Sequence, residues 1–438
     1  MYCPAGFTNA FGGVENCATR TRAPSEIINL PAVIELGLCR NPQTAASYLA
    51  YESAKYSKNA GYANYLPSVN ASTSLSSNYH NSEWDSLSWG GASLSASYLI
   101  FDFGKRLSDQ KQLIYAWQAA GFDYNENVQN YIYSLIGSYY SLLNADADVK
   151  SAEKLLSVAK TARDMATKKF QAGSVAKADV LKADTTLASR ELDLERTKNN
   201  REIAKGKLLA QLSFSADDEL KIADLPAEIG TPGDTKSLDE LFELAQKQRP
   251  DLLRATANKD SAWHRRNSAF LKNLPSISAS GRVSWQDDSS QSQGNFGASI
   301  GISASMPIFA GFANMYGIKS AQANYERAIE NERNINDNAS LDVFTAYQNY
   351  KTAQKVLTQT QTLLASATES ERVTSGMYKV GRATMLDWQT AQSELLDAQK
   401  QHNAARYDLF TKRAAVALSI GDIQAEIGKE ENNGKESK

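Results

Sequence analysis

The chain contains 438 residues, and its 47 Lys and Arg nearly balance its 49 Asp and Glu, which leaves a formal charge of -2. This balance argues against a nucleic-acid-binding surface, and an aromatic content of 9% is too high for a wholly disordered chain. The 10 prolines are few for this length and none lies in 311–375, which favours unusually long helices. No apolar run approaches the roughly 18 to 20 residues that a transmembrane helix needs.

The cysteines Cys3, Cys17 and Cys39 all lie in the first tenth of the chain. They lack the CxxC spacing and the neighbouring histidines of a zinc site, so the pattern favours a local disulfide over a metal centre. In an oxidising compartment Cys39 can pair with Cys17 or with Cys3, and we favour the pair Cys17 and Cys39. Three reduced thiols are the alternative.

The sequence repeats itself at an offset of 208 residues. At this offset Pro42 falls on Pro250, and the register continues without net insertion until Ala183 meets Ala391. Further landmarks that coincide are the Leu-Pro-Ser triplets at Leu66 and Leu274, the tip glycines Gly173 and Gly381, and Asp179 with Asp387. Agreement over this span indicates two copies of one structural unit.

The repeat divides the chain into five segments. We assign 1–26 to an irregular N-terminal segment, 27–213 to the first repeat, 214–235 to a linker, 236–421 to the second repeat and 422–438 to a polar, disordered tail.

Each repeat begins with a helix, predicted at 31–65 and at 238–273. Pro67 and Pro275 end these helices, because the residue before a proline is pushed out of the helical region. The apolar residues then recur with a period of two, which is typical of strands with one apolar and one hydroxyl-rich face. The predicted strands form two hairpins and span 68–79, 92–100, 276–285 and 296–306.

A very long helix follows each hairpin, predicted at 104–169 and at 311–377. Some 65 residues would reach on the order of 100 Å, and the apolar residues step by three and four as in a coiled coil. A glycine turn then leads into a return helix, predicted at 176–212 and at 384–420. The opening and return helices together match the long helix in length, so they can stack end to end beside it.

The two predicted hairpins have features of membrane-spanning strands. Strands of this length fit tilted membrane-spanning strands, whose residues alternate between lipid and lumen. Four strands are too few for a closed barrel, and open edges in hydrocarbon leave backbone groups without partners. Three copies of the chain would supply enough strands for one water-filled barrel lined by serine. A soluble β-sandwich would show the same alternation and is the alternative.

Four features carry a resemblance to a known family by their order and spacing: the duplication, the Leu-Pro-Ser strand starts, Pro307-Ile308-Phe309 and the tip sequences. The chain resembles the bacterial outer-membrane channel-tunnels of the TolC type. The resemblance covers about 31–421. It implies a fold that is mainly α with a membrane β-barrel: a homotrimer with a twelve-stranded barrel in the outer membrane and a twelve-helix tunnel in the periplasm. The partners that it implies are a periplasmic adaptor protein, an inner-membrane ABC or RND transporter and the lipid bilayer.

The resemblance also implies roles at the far end of the tunnel. Asp179 and Asp387 would line the entrance, where threefold symmetry turns each into a ring of three carboxylates that attracts cations. Tyr378 matches a gate residue that bonds to the neighbouring helix pair, here through Asp179. Arg382 follows the tip glycine by one residue instead of the family's two. Thr390 stands where the family often has a second acidic residue, so that ring is not reproduced.

The tip turns themselves contain Gly173, Ser174 and Gly381, which by the same resemblance would contact the adaptor. The alternative for all of these tip residues is a purely local role in capping or solvating helix ends.

The segment Leu38-Cys39-Arg40-Asn41-Pro42, with Cys17 nearby, resembles the protein-secreting members more than typical drug-efflux members. We therefore predict a passive exit duct for type I protein secretion. One alternative is the outer-membrane component of a multidrug or small-molecule efflux pump. A non-transporting coiled-coil surface scaffold is the other.

Other motifs do not favour an enzyme. His80, His264 and His402 lie far apart without Cys or carboxylate companions at ligand spacing, which predicts solvated or packed histidines. The GxSxG pattern at 297–301 lies inside an alternating strand instead of at a strand-to-helix elbow. The sequence contains no P-loop. We therefore expect no catalysis, no metal and no cofactor.

Overall fold

The computed structural model describes residues 27–76, 79–80, 83–84, 88–224, 236–286 and 295–423. Cys3, Cys17 and nearly all of the predicted polar tail lie outside these residues, as does the second half of the linker. Within the described ranges, none of the helices contains an apolar stretch long enough to cross a membrane.

The elements follow the same order in both halves of the chain. The helices are α1 (Leu30–Arg40), α2 (Pro42–Gly61), α3 (Lys105–Gln171), α4 (Lys177–Gln211), α5 (Leu238–Gln248), α6 (Pro250–Leu271), α7 (Ala313–Lys379) and α8 (Met385–Ser419). The strands are β1 (Ile27–Ile28), β2 (Ser68–Ser76), β3 (Tyr79–His80), β4 (Glu83–Trp84), β5 (Ser88–Phe101), β6 (Lys221–Ile222), β7 (Ser276–Gln286) and β8 (Asn295–Ser305). Both long helices contain 67 residues and both return helices contain 35, as a duplication requires.

The prediction of one continuous opening helix is wrong in both repeats. Asn41 and Arg249 have extended backbone angles, with ψ of 121° and 122°, and each precedes a proline that starts a new helix. The proline ring excludes the helical conformation from the residue before it. In the first repeat the Asn41 side chain caps the new helix, since its Oδ1 accepts from the backbone N–H groups of Gln43 and Thr44 at 2.8 and 2.9 Å.

The four predicted strands form one antiparallel sheet in the order β2-β5-β7-β8. Pro67 and Pro275 stand directly before β2 and β7. Two of the three pairings are the predicted hairpins, and the third, β5 with β7, joins the repeats. β2 and β8 are therefore the edges of this sheet. The short strands pair separately, β1 parallel to β6 and β3 antiparallel to β4.

The bends from strand to long helix need two consecutive residues with positive φ in each repeat, Phe103-Gly104 and Gly311-Phe312. Asp102 stabilises the first bend by accepting hydrogen bonds from the backbone N–H groups of Gly104 and Arg106 at 3.2 and 2.8 Å. Its counterpart in the second repeat is Ala310, which has no such group. The duplicated backbone thus carries different side-chain support at its two bends.

Two compact units divide the chain, and each contains parts of both repeats. One consists of Leu49–Tyr124 and Asp251–Asn336 and includes the four-stranded sheet. The other consists of the described parts of Met1–Tyr48, Asn125–Pro250 and Asp337–Lys438. In this second unit α3 buries an apolar seam whose residues step by three and four, and Leu155 belongs to it. The buried members of the seam are Val128, Ile132, Leu135, Tyr139, Leu142, Ala152 and Ala159.

Gly421 ends α8 at a place where a side chain has no room. Its φ is +80°, and a Cβ atom would lie 2.8 Å from the Arg249 Cα and from the Gln248 carbonyl oxygen. Arg249 is itself buried, and its guanidinium donates to the Ser419 carbonyl at 3.1 Å and to the Asp342 carboxylate at 3.0 Å. The end of α8 is therefore closely packed against the break between α5 and α6.

We predict that Gly421→Ala lowers the urea midpoint of unfolding more than Gly381→Ala does. Gly381 has nearly the same φ, +79°, but open space around it, so its substitution measures the backbone strain alone. Overpacking at position 421 should lower the free energy of unfolding by about 1–3 kcal/mol beyond the effect of backbone strain. Equal shifts in the two variants would contradict the packing at Arg249.

Candidate functional site at the helix tips

Two helix hairpins, α3–α4 and α7–α8, end in turns of the same geometry. Gly173 and Gly381 have φ of +71° and +79°, as predicted for the turn glycines. The next backbone N–H reaches back to close the helix, from Ser174 to the Lys169 carbonyl and from Arg382 to the Met377 carbonyl, both at 2.8 Å. Gly173, Ser174 and Gly381 are exposed. These turns therefore present backbone and small side chains at the surface of the described chain.

Asp387 forms a capping box with Thr384 at the start of α8. The Thr384 hydroxyl accepts from the Asp387 N–H at 3.2 Å, and the Asp387 carboxylate accepts from the Thr384 N–H at 2.8 Å and from its hydroxyl at 2.7 Å. The hydrogen bond from the Thr384 side chain lowers the pKa of Asp387. This exposed carboxylate has a local capping role, and because its pKa is lowered it stays charged to a lower pH than an ordinary aspartate.

Asp179 occupies the same position in α4, but its surroundings differ. The residue that precedes this helix is Ala176, which cannot cap, where the second repeat has Thr384. Asp179 is half-buried, and its charge contributes to raising the pKa of the Tyr378 phenol. The two predicted ring carboxylates are thus equivalent in sequence but not in environment.

Tyr378 is the centre of a small core that joins the two helix hairpins. Only 2% of Tyr378 is exposed, and its ring centroid lies 5.2 Å from that of Trp388. The rest of this core comes from both hairpins and comprises Ala162, Ala166, Ala183 and Met385. The buried hydroxyl of Tyr378 has no hydrogen-bond partner among the described groups. Burial, and then the charge of Asp179, raise the pKa of this hydroxyl. The predicted hydrogen bond from Tyr378 through Asp179 is therefore not formed within one chain.

Two polar contacts at this core were missed by the sequence analysis. The Lys169 ammonium lies 4.3 Å from the centre of the Tyr378 ring and donates a hydrogen bond to the Tyr378 carbonyl oxygen. The Trp388 indole N–H donates to the Glu371 carboxylate at 2.8 Å. A lysine in the last turn of α3 could have indicated a contact with a carbonyl oxygen at a helix end. The sequence does not show which one, because the acceptor of Lys169 lies on α7, 209 residues away.

Arg382 makes no comparable contact. Its side chain is exposed and forms no hydrogen bond or ion pair with the residues that the structure describes. Its predicted gate role stays a prediction.

Cys39 is disulfide-bonded. Its pairing with Cys17 stays a prediction, because Cys3 and Cys17 lie outside the described residues. His264 is buried and stacks on Tyr115, with ring centroids 5.4 Å apart. No group of three metal-ligating side chains occurs in the described ranges.

The described chain thus contains a four-stranded antiparallel sheet and two 67-residue helices, and its two helix hairpins share one small tip core. The chain matches the family model "Outer membrane efflux protein" over residues 33–212 and 241–422, and it belongs to this family.

Known proteins agree with this assignment. The chain is 24% identical to outer membrane protein TolC of Salmonella enteritidis over 422 residues, which cover 91% of this chain and 83% of that protein. It is 23% identical to toxin and drug export protein A of Aggregatibacter actinomycetemcomitans over 397 residues, covering 89% and 86%. The crystal structure of the Campylobacter jejuni CmeC outer membrane channel shares the fold, with a TM-score of 0.77, 21% identity and coverage of 92% and 89%. The predicted TolC-type family is thereby confirmed.

We predict that Thr384→Ala speeds amide hydrogen exchange severalfold in the first turn of α8 and raises the pKa of Asp387 towards its ordinary value. The reason is that the Thr384 hydroxyl accepts from the Asp387 N–H and donates to the Asp387 carboxylate, and alanine removes both of these hydrogen bonds while it keeps the bond from the Thr384 backbone N–H. Hydrogen exchange and carboxylate titration by NMR measure the two effects. Ala176→Thr is the matched variant, since it gives α4 the missing cap and should slow exchange there. Unchanged exchange in both variants would show that capping does not stabilise the tips.

Proposed function

We propose that three copies of this chain form an outer-membrane channel-tunnel that acts as the passive exit duct of a tripartite export system. The observation that carries the proposal is the four-stranded sheet, which combines an exposed apolar face, a hydroxyl-rich face and two open edges. Contact with lipid explains the apolar face, contact with water explains the hydroxyl-rich face, and contact with neighbouring subunits explains the open edges.

The apolar face of the sheet is exposed over all four strands. Ile300 is 93% exposed, and Ile302, Phe296, Val69 and Leu75 are exposed as well. A soluble sandwich would bury such a face, because exposed apolar surface costs roughly 25 cal/mol per Å² in water. Hydrocarbon removes that cost, so contact with lipid accounts for this face.

The opposite face carries a hydrogen-bonded ladder of polar groups. The hydroxyls of Ser68 and Ser97 are 2.7 Å apart, and those of Ser72 and Ser93 are 2.8 Å apart. The Arg282 guanidinium donates to the Ser93 hydroxyl at 3.1 Å. A surface of this kind is suited to a water-filled lumen.

The edges of the sheet require other chains. β2 and β8 each have one side without a partner strand in the described chain. In hydrocarbon each unpaired backbone group costs several kcal/mol, so membrane strands occur in closed barrels. Three chains with four strands each supply twelve strands, enough to enclose a channel.

The helices extend the duct into the periplasm. A 67-residue helix is about 100 Å long, far more than a small globular core needs. The disulfide at Cys39 fits an oxidising compartment such as the periplasm. A duct without an energy source of its own needs a transporter in the inner membrane and an adaptor that contacts the exposed tip turns. The family's members are channel proteins, which favours transport over a scaffold or an enzyme.

For the cargo we propose protein, exported by type I secretion. The sequence around Cys39 supports this choice, and the name of the Aggregatibacter relative covers both toxins and drugs. Small-molecule efflux is the second candidate. Co-isolation of the cross-linked complex from cells decides between them: an ABC transporter supports protein secretion, and an RND transporter supports efflux.

We predict that the chain purifies only in detergent, has the mass of a trimer, and gives discrete conductance steps in a planar bilayer. A monodisperse monomer in plain buffer, without conductance, would contradict the proposal.

We predict that Asp387→Asn lowers the cation-to-anion permeability ratio of the trimer severalfold, because it removes three charges from a narrow, poorly screened entrance. Asparagine keeps an oxygen that can accept from Thr384, so the helix cap is largely retained. Asp397→Asn, about 15 Å further along the same helix, is the control. If both variants keep the wild-type ratio, Asp387 does not line the entrance.

A further inference from the structure

We propose that Arg282 makes the lumen of the barrel attract anions, because its copies in the trimer form a positively charged ring. The inference rests on the channel proposed above, since one chain supplies one guanidinium and three chains supply the ring. The barrel would then carry a charge opposite in sign to the charge proposed for Asp387 at the helix tips.

Arg282 is the single charged residue of the four-stranded sheet. Strands β2, β5, β7 and β8 contain no other Asp, Glu, Lys or Arg. A charge among neutral serines and glycines sets the sign of the field around it, because no carboxylate in these strands balances it. The sheet therefore carries a net positive charge at one defined height.

The register of the sheet places Arg282 on the hydroxyl-rich face. Arg282 is opposite Ser95 of β5 on one side and opposite Ser299 of β8 on the other. Residues that are directly opposite in neighbouring strands share a face, while the next residue along the strand, Val283, belongs to the apolar face. Arginine on the lipid face of a membrane barrel is strongly destabilising, whereas the lumen tolerates it. Arg282 therefore faces the lumen of the proposed barrel.

A chain of hydrogen bonds holds the guanidinium across the sheet. Its Nη2 donates to the Ser93 hydroxyl at 3.1 Å, and that oxygen lies 2.8 Å from the Ser72 hydroxyl. Both partners are neutral, and no carboxylate within the described ranges pairs with Arg282. The side chain is exposed, so its remaining N–H donors are available to water and to anionic groups. Its position is thus fixed while its charge is not neutralised.

The charge occurs in one repeat only. At the offset of 208 residues, Arg282 falls on Ser74 of β2. Arg282→Ser therefore gives β7 the residue that the first repeat has at the same place in its own strand. This substitution removes the charge and keeps a side chain that the duplicated sheet accommodates.

The ring is small enough for its charges to act together. Twelve strands spaced about 4.8 Å apart and tilted by about 40° enclose a barrel about 24 Å across between backbones. An arginine side chain reaches about halfway from the wall to the axis, which brings the guanidinium groups to within about 10 Å of one another. The Debye length is about 8 Å at physiological ionic strength, and a low-dielectric wall focuses the field. The ring would therefore concentrate anionic groups, which in a protein cargo are its Asp and Glu side chains.

The charge preference of a nearby thiol tests the ring in the detergent-purified trimer. Ser280→Cys places a thiol two residues from Arg282 on the same face. Its reaction rate is measured with sulfonatoethyl methanethiosulfonate, an anion, and with trimethylammonioethyl methanethiosulfonate, a cation. We expect that adding Arg282→Ser lowers the ratio of the anionic to the cationic rate severalfold in about 0.1 M salt. In about 1 M salt, where the Debye length is about 3 Å, the difference should nearly vanish. Arg282→Lys should keep the ratio.

Ser276→Cys is the matched control. It lies on the same strand and face, but about 20 Å from position 282 along the strand, which is beyond the Debye length of about 10 Å in 0.1 M salt. Its rate ratio should not respond to Arg282→Ser. The chain without an added cysteine gives the background from the native cysteines.

The possible outcomes separate this inference from the proposed function. If the trimer is intact and Arg282→Ser leaves the rate ratio at Ser280→Cys unchanged, the ring does not set the local potential and the proposed channel still stands. If the thiol reacts with an uncharged, lipid-soluble maleimide and with neither charged reagent, this face contacts lipid, and the lumen assignment is wrong. A chain whose mass shows no trimer would instead overturn the proposed function.

Discussion

A sheet edge in hydrocarbon has no water with which to satisfy its hydrogen-bonding groups, and the proposed assembly depends on this constraint. The sheet has β2 and β8 at its edges, and its apolar face is exposed. Neither feature suits an isolated chain in water, because one exposes unpaired backbone and the other exposes apolar surface. Both are resolved when identical chains complete a barrel in lipid. The proposed assembly thus follows from the properties of the sheet.

The duplication explains how one chain supplies a fraction of a cylinder. The long helices of the two repeats are equal in length, as are the return helices, and both tip turns have a glycine with positive φ. Their side chains differ where local support differs. Thr384 caps α8 while Ala176 leaves α4 uncapped, and Asp102 stabilises one bend while Ala310 leaves the other without a carboxylate. The two helix hairpins are thus alike in backbone but differ in the side chains at their tips.

Much of the fold could be predicted from the sequence, because it depends on local signals. Glycines at the tips, prolines before β2 and β7, and the change of period from two to that of a helix set the elements to within a few residues. The break at Asn41 was missed although Pro42 was a landmark of the repeat. At the tips, the contact of Lys169 with Tyr378 joins residues 209 positions apart, and no local pattern specifies which helices will meet. The acidic residues were found by resemblance, but the capping of Asp387 depends on its exact helix position.

Amide hydrogen exchange along the outer edges of β2 and β8 in the membrane-inserted protein tests the central claim most directly. If neighbouring chains complete the sheet, the outward-pointing amides of both edge strands exchange as slowly as those of the inner strands β5 and β7. Rapid exchange confined to the edge strands, with β5 and β7 protected, would show that the sheet ends within one chain.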